Sequence, residues 1–141
     1  MIQLIVGDRG KGKTRVLLDS ANEAIQEASG NIVYIDKSSK HMFELSNKIR
    51  LIDTSRIPVK NYDQVIGAVC GIISQDHDLE KVYIDNLLKI AKIEDKIELL
   101  DPVISELQYI SDTFSVDFIL SVTLEKKDLS EKLREMVVKE L

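Results

Sequence analysis

The most specific chemistry in this chain lies near its amino end, in Gly7-Asp8-Arg9-Gly10-Lys11-Gly12-Lys13-Thr14. The pattern is G-x-x-x-x-G-K-T, the signature of a loop that cradles phosphate. Glycines let the backbone wrap an anion and turn successive N–H groups inward. A lysine at the seventh place can reach the terminal phosphates as a mobile point charge, and Lys13 is expected to be solvated when nothing engages it. The hydroxyl of Thr14 is the expected ligand for Mg²⁺. A chance match in a chain of this length has odds on the order of one in a few hundred, from average residue usage. Arg9, Lys11 and Arg15 add cations to the same stretch.

A phosphate-bound metal needs a second anchor, and the chain offers three aspartates at the ends of apolar runs: Asp36, Asp53 and Asp85. Lys81-Val82-Tyr83-Ile84-Asp85-Asn86 looks like a Walker B strand, hydrophobic residues that end in an aspartate holding Mg²⁺ through water. Leu87-Leu88 follow it as a helix start would, whereas Asp36 comes directly after the first helix and Asp53 ends a weaker run. Asp85 is therefore the expected metal aspartate. The competing reading is a plain helix N-cap.

These residues have to be positioned by strands and helices. The continuous apolar run at 2–6 reads as a strand buried on both faces, and further strand signals lie at 31–36, 49–53 (a shorter one), 82–85 and 118–122. Helical spacing marks 14–28, with Gly30 as its stop, and 63–74. Asp101-Pro102 reads as an N-cap followed by proline at the first helical position, opening a helix to Phe114. Leu133, Met136 and Val137 suggest a helix over 129–141; a short helix is expected at 41–48, and 87–100 reads as helix with a loop near 93–95. Alternating strands and helices predict a single α/β domain over residues 1–141, a three-layer α/β/α sandwich around a five-stranded, mainly parallel sheet.

Composition narrows the function. Hydrophobic residues are 44% and charged residues 30% of the 141, an ordinary globular balance. The net charge of −5 is uneven, +3 over residues 1–60 and −8 over 61–141, so no general field for nucleic acid is expected. The scattered aromatics form no base-stacking array. A single cysteine, Cys70, permits no internal disulfide, no apolar run reaches the roughly 20 residues of a membrane span, and a cytoplasmic setting is expected. His41 and His77 have no ligand-like spacing, and the carboxylates at 94, 95, 98 and 101 read as a solvated face.

The loop, the strand ending in Asp36 and the Val82–Leu87 stretch together resemble the RecA-like P-loop ATPases, and the layout is similar to small ATP-binding proteins of firmicute bacteria. The resemblance implies binding of ATP and Mg²⁺, with Gly7 to Arg15 around the nucleotide, Thr14 and Asp85 at the metal, and Lys13 and Asp85 in the catalytic machinery. It implies that Ser121 or Thr123, at the end of the last strand, senses the γ-phosphate. It also implies a strand order of 49–53, 31–35, 82–85, 118–122, 2–6. The family's glutamate after the second strand is missing, and Asp36 is its substitute; Asn86, not glutamate, follows Asp85. The resulting expectation is a weak ATPase or nucleotide-dependent switch, with a protein partner or a second copy of the chain able to supply an arginine. The alternatives are a small-molecule kinase and a nucleotide-binding module without turnover.

Overall fold

A computed structural model describes every residue from Met1 to Leu141. Six strands make one parallel sheet: β1 (Ile2–Val6), β2 (Asn31–Asp36), β3 (Arg50–Asp53), β4 (Leu79–Ile84), β5 (Asp117–Val122) and β6 (Val137–Glu140), in the order β3-β2-β4-β5-β1-β6. The helices are α1 (Lys13–Glu27), α2 (Tyr62–Ser74), α3 (Leu87–Ile90), α4 (Leu100–Phe114) and α5 (Glu131–Arg134). The β5 strand lies between β1 and β4, so the first five strands follow the expected order.

Side chains alternate across the pleat, and the two faces build two cores. Leu4, Val6, Val33, Ile35, Val82, Ile84, Phe118 and Leu120 pack on the side of α2 and α4. Ile5, Ile32, Tyr34, Tyr83 and Ile119 pack against Leu17, Leu18 and Ala21 of α1. Helices thus flank the sheet on both faces, which is why the central strands carry adjacent buried apolar residues.

The sixth strand corrects the expected count of five and the expected helix over 129–141. Only Glu131–Arg134 is helical; after Met136 the chain turns and lays Val137 beside Leu4, with a register shift before Lys139 meets Ile5. Leu133, Met136 and Val137 satisfy helical spacing, but the adjacent pair Val137-Val138 favours a strand. The pairing also covers an edge that β1 would otherwise leave open. The expected helix at 41–48 shrinks to one 3₁₀ turn, Met42–Glu44. Over 87–100 the helix is the single turn α3, with a further 3₁₀ turn at Ile97–Leu99. Nor does Asp101 cap α4, which begins at Leu100; its carboxylate accepts from the Ser130 hydroxyl at 2.7 Å.

Gly30 does a different task from the one expected. Helix α1 ends at Glu27, and Gly30 lies where the start of β2 approaches β4. A Cβ there would sit 2.0 Å from the Asp78 carbonyl oxygen, which accepts the Asn31 N–H at 2.7 Å. Gly30→Ala must therefore move backbone, at a cost of about 1–3 kcal/mol. Urea unfolding of the variant checks this, and an unchanged midpoint would contradict it.

Candidate functional site

The pairing register brings the polar ends of three strands into one row. Ile35, Ile84 and Leu120 are paired neighbours across β2, β4 and β5, so Asp36, Asp85 and Ser121 stand one step beyond them. By the pleat, all three face α1. All are nearly inaccessible: Asp36 is 2%, Asp85 5% and Ser121 1% exposed. Asp53 is level with Asp36, but its carboxylate accepts from the Ser55 N–H and hydroxyl and so caps its own turn.

A carboxyl group buried this deeply needs donors. Asp85 has three. Ser121 Oγ donates to Oδ1 at 3.0 Å, Thr14 Oγ1 donates to the same oxygen at 3.3 Å, and the Tyr34 hydroxyl donates to Oδ2 at 3.1 Å. Burial, reinforced by the charges of Asp85 and Asp36, pushes the Tyr34 hydroxyl far above its ordinary pKa, so it stays a neutral donor. Its ring stacks on Tyr83, with centroids 6.1 Å apart and planes at 15°. Ser121 Oγ also accepts the Asn86 N–H at 2.6 Å, which ties the end of β5 to the turn after β4.

The glycine-rich loop closes over this row. Gly10 and Gly12 take φ of 80° and 93°, values open to glycine and strained for other residues. Gly12 is the N-cap of α1 and offers no side chain, so the first N–H groups of the helix are left to other acceptors. Lys13 folds back and donates to the Asp8 carbonyl at 2.7 Å, and it is 8% exposed where a solvated side chain was expected. Burial lowers its pKa, while the charges of Asp8 and Asp85 oppose that shift.

Loop and row together line a cleft of about 580 Å³ at the carboxyl ends of the strands. Arg9, Gly10, Gly12, Lys13, Thr14, Asp36, Asp85, Ser121 and Thr123 all face it, and no hydrophobic residue does. Other expected residues lie elsewhere. Arg15 turns outward and pairs with Asp19 and Glu44. Asp8 and Lys11 line a separate depression with Glu125 and Lys127. Gly7 is packed against Leu141, where a Cβ would come within 2.9 Å of a carbonyl oxygen.

Several cleft residues have no signal in the motifs. His41 and Glu94 belong to the lining, though the sequence reading gave them no role, and Lys37, Lys40 and Lys89 join them. The available clue is positional: residues just after a parallel strand lie at the carboxyl edge of the sheet, where α/β proteins bind ligands. Tyr34 reads as ordinary core until the register sets it beside Asp85.

Oxygen donors suit a hard divalent cation, and Mg²⁺ asks for few protein ligands because it keeps waters and takes phosphate oxygens. The Thr14 hydroxyl beside the Asp85 carboxylate fits that pattern. Asp36 adds an unusual feature. Its Oδ1 accepts the Lys37 N–H at 2.7 Å, while its buried Oδ2 has no partner in the protein. No family model matches the chain, and no curated protein matches it.

Burial, and next the charge of Asp85, hold the Asp36 carboxyl above the usual carboxylate range. Its ionised form is therefore disfavoured by folding. That penalty is present above the raised folded-state value and fades as pH falls towards the ordinary value of about 4. Asp36→Asn should accordingly raise the melting temperature near neutral pH without divalent cations, and the gain should shrink in acid. Thermal melts across that range check both; a gain independent of pH would contradict the assignment.

Proposed function

We propose that this chain is a P-loop nucleotide-binding domain of RecA-like type, taking ATP with Mg²⁺ and acting as a weak ATPase or a nucleotide-dependent switch. The observation that carries the reading is the contact between the loop and the row. The threonine of G-x-x-x-x-G-K-T donates to an aspartate at the end of a separate buried strand. The sequence reading of the loop called for such an aspartate, and Asp85 was the one of three candidates that it favoured. The strand order, with β5 between β1 and β4, supports the RecA-like type over the kinase type.

Under this reading the N–H groups around Gly10 to Lys13 and the Lys13 ammonium hold the β- and γ-phosphates. Thr14 and Asp85 would hold Mg²⁺, which when bound neutralises charge on the phosphates. Ser121 keeps Asp85 in place through Oδ1, and Thr123 lies at the same wall of the cleft. Asp36, with an oxygen free of protein partners, is the group to orient an attacking water. Its raised pKa makes it a better proton acceptor than an ordinary aspartate.

One observation favours the version without turnover. Asn86, at the place where a glutamate could follow the metal aspartate, takes φ of 62° and accepts the Lys89 N–H as the N-cap of α3. Its side chain is committed to the turn and not to an attacking water.

Charge-assisted hydrogen bonds are worth roughly 1.5–3 kcal/mol each. Lys13→Ala should therefore weaken Mg·ATP binding by about ten- to a hundredfold. Lys11→Ala should change it far less, because Lys11 lies outside the cleft. Calorimetric titration of both variants tests the reading, and equal affinities for the wild type and Lys13→Ala would overturn it.

A further inference from the structure

The β2 and β4 side of the cleft carries charge that the phosphate-loop reading does not use. Lys37 and Lys40 follow β2, and Lys89 lies in α3 after β4; all three face the cleft. None forms an ion pair, since the chain's salt bridges involve other residues. Beside them is the one buried side-chain atom without a partner, Asp36 Oδ2. A buried polar atom facing a cleft calls for a polar group from a ligand.

Position distinguishes these lysines from the cations of the loop. Lys37 and Lys40 follow β2, one strand spacing of roughly 5 Å beyond β4 and its Asp85. Lys89 follows β4 itself. The loop reaches Asp85 through Thr14, while Lys13 bonds the Asp8 carbonyl, and no loop side chain bonds any of the three lysines.

The ligand is small. A cleft of about 580 Å³ is the size of a small-molecule site. The net charge of −5 argues against a polynucleotide, whose binding draws on cations spread over a surface. We propose that Lys37, Lys40 and Lys89 form a second subsite, which takes the phosphate of a small, hydroxyl-bearing phosphate ester next to the nucleotide. The phosphate lies on the lysines, and a hydroxyl of the same molecule donates to Asp36 Oδ2 in place of the water that this atom would otherwise orient. The word "next" rests on the nucleotide reading; the subsite itself does not, and it is tested without nucleotide.

The test uses Lys13→Ala protein, in which the loop is weakened, and follows glycerol 3-phosphate and inorganic phosphate by ³¹P NMR titration. Glycerol 3-phosphate should bind at least as tightly as inorganic phosphate. Adding Lys37→Ala, Lys40→Ala and Lys89→Ala should weaken the ester by about tenfold or more, the loss expected from one to two charge-assisted contacts. Removing the exposed Lys48, Lys60 and Lys96 instead makes the same change in net charge and should leave binding unaltered. Circular dichroism verifies that each variant is folded. Equal binding with and without the three cleft lysines, an equal loss in the control, binding of inorganic phosphate alone, or no ester binding would each overturn the proposal. Failure of the nucleotide reading shows separately, in Mg·ATP calorimetry on the wild type.

Discussion

A carboxyl group at the end of an apolar strand has to be hydrogen-bonded where it stands, or water must enter the core to reach it. Asp85 meets that demand with hydroxyls from three elements: Thr14 of α1, Tyr34 of β2 and Ser121 of β5. Truncating any one would leave part of a buried charged group without a donor, a loss typically of about 1–3 kcal/mol. The first of these bonds ties the end of the glycine-rich loop to the sheet, because Thr14 lies in the first turn of α1. One aspartate thus links the loop to the carboxyl edge of the sheet.

The geometry has an electrostatic cost. Asp36 and Asp85 are adjacent in the row, face the same side and are both buried. Burial, and next the charge of Asp85, oppose ionisation of Asp36 and raise its pKa. Lys13 is drawn out of solvent to the same place, against a burial penalty that Asp8 and Asp85 partly offset. Hydrophobic packing on both faces of the sheet holds these groups in a conformation they would not choose by themselves. Such tension is expected where a site is arranged for a ligand and not for stability.

Much of this was legible in local sequence. The glycine-rich loop is recognisable because its chemistry is contained in eight consecutive residues. The four central strands are recognisable because burial on both faces requires apolar runs, as in Ile2–Val6 and Asn31–Asp36, while β3, at the edge with no buried residue, is the weaker run. The last strand was not, because Leu133, Met136 and Val137 fit a helix as well as a turn into a strand, and only pairing with β1 decides between them. Tyr34 and Lys89 were illegible for a related reason. Each touches the site through register or chain reversal, which residue spacing does not encode. Asp36 is intermediate: its place after β2 was readable, but its unpartnered oxygen is a property of the assembled sheet.

The central claim is that the loop over residues 7–14 and the Asp85 carboxylate form one site for a metal-bound triphosphate. A crystal structure of the protein with Mg²⁺ and a non-hydrolysable ATP analogue tests it most directly. The account predicts the terminal phosphates against the backbone N–H groups between Gly10 and Thr14, the Lys13 ammonium moved from the Asp8 carbonyl to the phosphates, and the metal on the Thr14 hydroxyl. A triphosphate bound elsewhere, with Lys13 still on Asp8 and no metal near Thr14, would contradict it.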